Sequence, residues 1–225
     1  MRPALIALTS LLLASALSAQ TRRFALDSAG GLRLHNVKAE PATLDGKRGL
    51  RVTGVAPDSE QLAIIDGLEF ANGVIEAEIA GALAPDAGAA ARGFVGIAFR
   101  VQSDMRTYDA FYLRPTNGRA EDQERRNHAT QYISHPDWTW SRLRQETPSK
   151  YESYVDLLPN VWTKIKIEVR GDRARLYVND NPQPALIVND VKSGPRPTAR
   201  GTIALWVGPG TIAHFRNLTV TNATP

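Results

Sequence analysis

The chain has 225 residues, a length that suits one domain or one large all-β domain. Hydrophobic residues make up 43% and charged residues 22%, which is ordinary for a globular protein with a real core. There is no cysteine, so a disulfide framework and a thiolate metal site are both excluded. The formal net charge is only +4, and carboxylates are interspersed among the arginines between Arg100 and Arg144, so we expect no nucleic-acid partner.

The first residues indicate export. A positive charge at Arg2 precedes an apolar run from Ala4 to Leu17, and small residues follow at Ser18 and Ala19. This is the pattern of a signal peptide, and the apolar run is too short for a membrane span. We therefore predict a signal peptide over residues 1–19, no membrane span, and a secreted or periplasmic protein. A buried N-terminal helix is the alternative.

Short segments with strand character follow, separated by turn residues. In Phe70 to Ile79 the apolar and acidic residues alternate, as in a strand with one buried face. Gly93 to Val101 has a bulky apolar face and a second face of small residues that ends in Arg100. Glycine within a strand often marks close approach by a ligand, which predicts space above Gly96. Packing of another sheet or loop there is the alternative.

The middle of the chain, Tyr108 to Asp156, is rich in aromatic residues and arginines. In the strand Tyr108 to Arg114, alternation predicts that Phe111 faces the core and that Tyr112 faces away from it. A loop or short helix is expected over Arg119 to Asn127, and further strands over 128–134 and 151–157. The connection from Ser134 to Lys150 is long and carries two tryptophans, and long loops in compact domains are often functional.

The last third alternates most clearly. Strands are predicted over 162–170, 173–178, 185–188, 201–207 and 212–220, with a hairpin turn at Gly171 and Asp172. About a dozen strands at this spacing predict an all-β protein built as a two-sheet antiparallel sandwich. We expect a single domain over residues 24–220.

Three segments of this region resemble the concanavalin A-like lectin/glucanase superfamily: the tryptophan-led strand from Trp162 to Val169, the sequence LYVND at 176–180, and FRNL at 215–218. The chain is most similar to the 3-keto-disaccharide hydrolase and laminin-G-like branches. The resemblance implies a jelly-roll sandwich that holds carbohydrate on its concave face. The Glu-x-Asp-x-x-Glu-like catalytic strand of family-16 glucanases is lacking.

A sugar needs an aromatic surface to stack on and polar groups for its hydroxyls. We predict that the carbohydrate-binding residues are Arg100, Tyr112, Arg114, His128, Gln131, Tyr132, Trp138, Trp140 and Trp206. Gly96, Ala98 and Ala204 are expected to form the floor of this site. The alternative is that the aromatic residues cap an ordinary core and that the arginines are solvated.

Glu152 is the predicted catalytic acid, because it shares one strand face with Tyr154 and Asp156 next to the aromatic stretch. The predicted function is an exported carbohydrate-active or carbohydrate-binding protein. A glycoside hydrolase acting on a keto-disaccharide or another glycan is favoured. Lyases of this fold use arginine, glutamine or asparagine to neutralise a uronate and histidine or tyrosine as base and acid, so in the less favoured lyase these roles would fall to residues 125–128 with Gln131 and Tyr132. A non-catalytic lectin-like, structural or partner-binding module is the rival.

No cofactor is expected. The oxygen-rich runs at 179–181 and 189–190 would suit calcium, but such runs are more often turns. The histidines have no paired metal-ligand spacing, so no metal site is predicted. The oligomeric state is not determined by any pattern in the sequence.

Overall fold

The computed structural model describes residues 20–56, 58–193 and 200–223, and it forms two antiparallel sheets packed face to face. The prediction of an all-β two-sheet jelly-roll sandwich is confirmed. The predicted signal peptide lies outside the described residues. Within the part of the chain that the structure describes, no helix has the length and apolar character needed to cross a membrane.

The back sheet has eight strands. In spatial order they are β13 (Leu186–Val188), β12 (Arg173–Val178), β11 (Thr163–Arg170), β6 (Gly73–Leu83), β15 (Thr211–Asn222), β4 (Lys47–Gly54) and β3 (Val37–Leu44), and β1 (Thr21–Phe24) also pairs with β15.

The front sheet has seven strands. Their spatial order is β10 (Glu152–Ser153), β9 (Thr130–His135), β8 (Tyr108–Leu113), β7 (Val95–Val101), β14 (Thr202–Val207), β5 (Leu62–Ile65) and β2 (Leu32–His35). A 3-10 turn at Pro115–Asn117 and the helix α1 (Gln123–Asn127) connect β8 to β9, and the helix α2 (Trp140–Glu146) connects β9 to β10. The front sheet therefore carries the aromatic middle of the chain.

Three strands differ from the expected pattern. The sequence analysis missed β3, which is polar and contains Pro41. Proline is tolerated there because β3 is an edge strand, where an amide donor is not required on the open side. In the expected strand over 151–157, only Glu152–Ser153 is strand, and β6 continues past Ile79, where the alternating pattern ends, to Leu83.

A row of aromatic rings fills the interior behind the front sheet. Phe99 stacks on Phe111 at a centroid distance of 6.2 Å, Phe111 contacts Tyr132 at 5.4 Å, and Tyr132 contacts Tyr151 at 5.7 Å. All four side chains are buried. Burial of rings this large dominates the apolar stabilisation of a core.

Tyr132 therefore belongs to the core, and its predicted place on the ligand-binding face is wrong. The register of β8 and β9 pairs Tyr132 with Phe111 and pairs Gln131 with Tyr112. Since paired residues share a face, Tyr132 faces inward and Tyr112 outward. The Tyr132 hydroxyl donates to Asp109 Oδ1 at 2.6 Å and accepts from the Lys192 amide at 2.7 Å.

Arg100 was also predicted to bind ligand, and it too lies elsewhere. Between β7 and β14 the register shifts, so that two residues of β7 oppose one of β14, and Arg100 has a positive φ of 55°. This is a β-bulge, which redirects a side chain. The buried guanidinium of Arg100 donates to the carbonyl oxygens of Ala71 and Gly171, at 2.9 Å and 2.8 Å, and thereby joins two loops.

We predict that Tyr132→Phe lowers the free energy of unfolding by about 2 kcal/mol, because Asp109 Oδ1 and the Lys192 amide both lose their hydrogen bond to the buried hydroxyl. Tyr154→Phe is the matched control, since Tyr154 is 44% exposed, and its loss is expected to be within about 0.5 kcal/mol. Urea denaturation of both variants measures the difference. Equal stability of the two would contradict the assignment of Tyr132 to a hydrogen-bonded core.

Candidate functional site

A cleft of about 1530 Å³ covers the outer face of the front sheet. Outward-facing strand residues such as Tyr112, Ile133 and Trp206 line it, and the loops over 84–94 and 207–212 form one wall. Its volume exceeds the roughly 300–1,000 Å³ of an ordinary small-molecule pocket, so more than one sugar ring has space. The cleft is extended, because its lining includes both His128, just before β9, and His135, at the end of β9.

Stacked aromatic rings form the floor of this cleft. Trp206 lies on Tyr112 at a centroid distance of 4.6 Å, and Phe94 meets the edge of Tyr112 at 5.9 Å. The expected floor of Gly96, Ala98 and Ala204 is wrong, because these three residues are not part of the lining. A Cβ at Gly96 would lie 2.5 Å from Tyr112 Cβ, so the glycine allows β8 to come this close to β7.

A buried ion cluster lies beside the aromatic floor. Glu152 accepts a hydrogen bond from Arg114 Nη1 at 2.9 Å and from Arg144 Nε at 3.0 Å, and Arg144 Nη2 donates to it as well. Arg114 also donates to Gln131 Oε1 at 2.8 Å and to the Tyr112 hydroxyl at 3.0 Å. The cluster joins β8, β9, β10 and α2, so it fixes the arginines in one geometry.

The chemistry of Glu152 does not fit the predicted role of catalytic acid. Burial raises the pKa of its carboxyl group, but the hydrogen bond from Arg144 and the charges of Arg114 and Arg144 lower that pKa more. The net direction is below the ordinary value, which keeps Glu152 charged. A general acid needs a raised pKa so that it carries a proton at neutral pH.

His128 lies at the edge of this cluster and lines the cleft. Its Nε2 is 3.5 Å from Glu152 Oε2, and 15% of its side chain is exposed. Burial lowers the pKa of His128; the charges of Arg144 and Arg114 also lower it, and Glu152 opposes them. The imidazole is therefore neutral at pH 7. The nearby carboxylate favours a proton on Nε2, which leaves the lone pair on Nδ1.

A second histidine–carboxylate pair lies at the other end of β9. His135 Nδ1 is 2.7 Å from Glu60 Oε1, and both residues line the cleft. Tyr108 donates its hydroxyl proton to Glu60 and accepts a hydrogen bond from Trp206 Nε1 at 3.0 Å. Seven residues at about 3.3 Å each separate the two histidines along the chain, so the pairs are roughly 20 Å apart.

Apart from Arg100 and Tyr132, the predicted site residues fall into three groups. Five of them line the cleft, namely Tyr112, Arg114, His128, Trp140 and Trp206. Gln131 and Glu152 are buried behind the lining, where they hold the arginines. Trp138 is partly buried outside the cleft, and the cations of Arg142 and Lys192 already lie over its ring, at 4.0 Å and 4.6 Å from the centroid.

Most of the residues that line the cleft were not predicted from the sequence, among them Glu60, Arg92 and Phe94. Glu60 lies between turn residues just before β5, and Arg92 and Phe94 flank Gly93 at the end of a loop rich in alanine and glycine. No periodic pattern distinguishes such loop residues. The one available signal was chemical, since Arg92 and Phe94 are the large side chains in a stretch of small ones.

Among residues 20–56, 58–193 and 200–223, no group of three or more histidine, aspartate or glutamate side chains is arranged to hold a metal ion. The two runs considered for calcium carry aspartates that bind lysines. Asp180 Oδ2 accepts from Lys164 at 2.6 Å, and Asp190 Oδ2 accepts from Lys150 at 2.8 Å.

The comparisons with known proteins agree with this architecture. A family model described as the 3-keto-alpha-glucoside-1,2-lyase-like domain matches residues 37–221. A search of curated protein sequences finds no match.

Three solved structures share the fold. The carbohydrate-binding module CBM66 from Bacillus subtilis is 14% identical with a TM-score of 0.54; the match covers 84% of this chain and 97% of that one. A Bacillus subtilis protein with a galectin-like fold is 13% identical with a TM-score of 0.56, over 92% and 99% of the two chains. Peanut lectin is 10% identical with a TM-score of 0.51, over 92% and 100%.

We predict that Glu152→Gln lowers the free energy of unfolding by about 3 kcal/mol at neutral pH, because Arg114 is left buried without an anion. The pKa of Glu152 is lowered in the folded protein, so the stability from its charge is present above the pKa of an unfolded glutamate, about 4.3. It is lost as the pH falls below that value. The gap between wild type and variant should therefore shrink in acid.

Denaturation at a series of pH values measures this gap. Asp156→Asn is the matched control, because Asp156 pairs with Arg119 at the surface, and a solvated pair contributes little. An Asp156→Asn variant as unstable as Glu152→Gln, or a gap that does not change with pH, would contradict the buried ion cluster.

Proposed function

Because the chain belongs to the 3-keto-alpha-glucoside-1,2-lyase-like domain family, we propose that its cleft binds a 3-keto glycoside and eliminates the group attached to C1. The observation that carries the proposal is the position of His128, which lies in the cleft 3.5 Å from Glu152 and beside fixed arginines, at the edge of an aromatic floor. Elimination next to a ketone needs these parts: a base, a cation for the enolate and a surface for the sugar.

The reaction balances without an oxidant or a water molecule. The C3 ketone makes the proton at C2 acidic, because the carbanion at C2 is delocalised onto the ketone oxygen. A base removes that proton. The electron pair then forms the C1–C2 double bond as the C1–oxygen bond breaks, and the departing oxygen takes up a proton. The products are an unsaturated keto sugar and a free alcohol.

In this proposal His128 Nδ1 is the base that removes the C2 proton. Glu152 is a positioning residue, because it is 3.5 Å from Nε2 and holds the imidazole by its charge. Arg144, about one third of whose side chain is exposed, is the cation that faces the developing enolate oxygen. A fixed cation aimed at developing charge needs no reorganisation during the reaction.

The aromatic residues bind the sugar in this proposal. Trp206 and Tyr112 form a stacked floor but are only 8% and 2% exposed, so Trp140, which is 47% exposed at the rim, is the ring on which a sugar can stack most fully. Arg144 lies over one ring of this set, with its guanidinium 4.9 Å from the centroid of Trp140. A sugar ring that stacks on Trp140 is therefore brought close to the proposed enolate-binding cation.

A hydrolase with two catalytic carboxyl groups has less support. It requires one carboxylic acid and one carboxylate flanking the scissile bond. The lowered pKa of Glu152 leaves no proton to donate, and Glu60 is paired with His135. Glu76 and Glu78 share one strand face, but they lie on β6 of the back sheet and do not line the cleft.

We predict that His128→Gln lowers kcat on a 3-keto-α-glucoside by about 10²–10⁴-fold, the usual contribution of a general base. His35→Gln is the matched control, because His35 lies at the edge of the front sheet and does not line the cleft. Release of the leaving alcohol measures the rate. In the wild type, kcat/KM should rise with pH through a histidine pKa below its ordinary value and then level off.

The second histidine of the cleft provides the strongest rival. Glu60 orients His135 as Glu152 orients His128, so His135 is also a potential base. Full activity in His128→Gln, together with loss of activity in His135→Gln, would transfer the base to the other end of the cleft. Binding of sugar without turnover of any 3-keto glycoside would replace the enzyme with a binding module.

We predict that Trp140→Ala raises KM about tenfold and changes kcat by less than about threefold, because stacking on an exposed ring stabilises the bound sugar before and during the reaction alike. Tyr154→Phe, which alters an exposed ring outside the cleft, should change neither constant. Steady-state kinetics on one 3-keto glucoside separates the two effects. An unchanged KM would show that Trp140 does not contact substrate.

We also propose that the protein is exported, on the basis of the apolar run between Arg2 and Ala19. Mass spectrometry of the mature protein isolated from its source would test this, since export predicts an amino terminus close to Gln20. A mature protein that still begins at Met1 would contradict it.

A further inference from the structure

Two arginines at the His128 end of the cleft lack an anionic partner. Arg92 Nη1 donates only to the carbonyl oxygens of Ala89 and Ala91, at 2.7 Å and 2.6 Å. Arg125 donates through Nε to Asn117 Oδ1 at 2.9 Å and through Nη2 to Thr116. Among the described residues, neither guanidinium forms a salt bridge with a carboxylate, and both residues line the cleft.

Neutral groups hold these two arginines close together. The Thr116 hydroxyl accepts from Arg125 Nη2 at 3.2 Å, and Thr116 in turn donates to the carbonyl oxygen of Arg92 at 3.3 Å. Asn117, which is buried, accepts from Arg125 and donates to the carbonyl oxygen of His128 at 3.0 Å. These bonds fix the Arg125 guanidinium and the Arg92 backbone relative to the proposed base.

The positive charge at this end is only partly compensated. Arg114 and Arg144 share the one carboxylate of Glu152. Asp122 and Glu124 also line the cleft, but both are exposed, and Asp122 already accepts from the backbone N–H of Arg125 at 2.7 Å. Burial lowers the pKa of Arg92, and repulsion from Arg125 and Arg114 lowers it further, as expected where cations exceed anions.

We propose that Arg92 and Arg125 form an anion subsite that binds a carboxylate or sulfate group on the leaving portion of the substrate. The term leaving portion rests on the function proposed above; the subsite itself rests on the two arginines. Guanidinium groups present paired donors that match the oxygens of carboxylate and sulfate. The neutral partners of the two arginines hold them in place without compensating their positive charge. A bound anion would therefore displace water from the guanidinium groups.

The test compares two ligands that differ only in charge. Calorimetry measures the dissociation constants of 4-carboxyphenyl α-glucoside and 4-(hydroxymethyl)phenyl α-glucoside with the full-length protein. Neither ligand carries the 3-keto group, so binding is measured without turnover. We expect the anionic ligand to bind about tenfold more tightly, as one charge-assisted contact allows. Added salt should weaken that preference because it screens exposed charges.

Three arginine variants test whether Arg92 and Arg125 cause the preference for the anionic ligand. Arg92→Gln and Arg125→Gln are each expected to reduce the tenfold ratio to less than about threefold, while leaving binding of the neutral ligand unchanged. Arg173→Gln is the charge-matched control, because Arg173 is exposed on the back sheet, and it should keep the full ratio. Arg92→Gln is the more informative variant, since it removes only hydrogen bonds to loop carbonyls.

Equal binding of the two ligands by the wild type would overturn the subsite, and so would failure of the anionic ligand to bind. The subsite would also be overturned if Arg92→Gln and Arg125→Gln both kept the full preference for the anionic ligand. These results are distinct from failure of the elimination, which is measured on 3-keto substrates. A 4-sulfophenyl α-glucoside, whose sulfonate stands in for a sulfate group, tests which of the two anions the subsite prefers. Tighter binding than that of the carboxylate assigns the subsite to sulfated ligands, and weaker binding assigns it to carboxylated ones.

Discussion

The charge on Glu152 is the constraint on which the front of the molecule depends. A buried carboxylate is costly unless paired charges and hydrogen bonds replace its water. Here Arg114 and Arg144 supply those bonds from β8 and α2, and His128 lies 3.5 Å away at the start of β9. One carboxylate thus determines where two arginines and a histidine lie, and those three groups form the polar side of the cleft.

The aromatic floor depends on the same sheet for a different reason. Trp206 is both stacked on Tyr112 and hydrogen-bonded to Tyr108, whose hydroxyl also binds Glu60. The indole therefore contacts Tyr108, which binds Glu60, and Tyr112, which accepts a hydrogen bond from Arg114 of the Glu152 cluster. Because close-packed interiors transmit strain, a displaced side chain at either end of the cleft would also shift Trp206. This coupling is a property of packing and requires no moving part.

Alternation along single strands predicted much of the fold. The strands β6, β7 and β11 were recognisable because one face of each is uniformly apolar. Alternation placed Tyr112 on the outer face, and residue type selected His128, Trp140 and Trp206 for the cleft. Tyr132 shows the limit of this method. Its side depends on the pairing of β9 with β8, and shifting that pairing by one residue would exchange Tyr132 with Gln131.

The remaining parts of the site come from connections. Glu60 and Arg92 are brought to the front sheet by segments that are far from His128 in sequence and have no periodic pattern, so only the folded chain shows their proximity. Arg100 differs again, because a β-bulge reverses the direction that simple alternation predicts. Loops and bulges respond to contacts across the whole fold, which a local pattern does not contain.

The electrostatics of the cleft favour elimination over hydrolysis for one reason. Arg114 and Arg144 keep Glu152 charged, and Glu60 is paired with His135, whereas the partly buried imidazole of His128 is kept neutral by its own desolvation and by the same two arginines. The same arginines that remove a proton from His128 would stabilise an enolate. A neutral base beside fixed cations suits the removal of a carbon-bound proton next to a carbonyl group. It does not suit protonation of a glycosidic oxygen by a carboxylic acid.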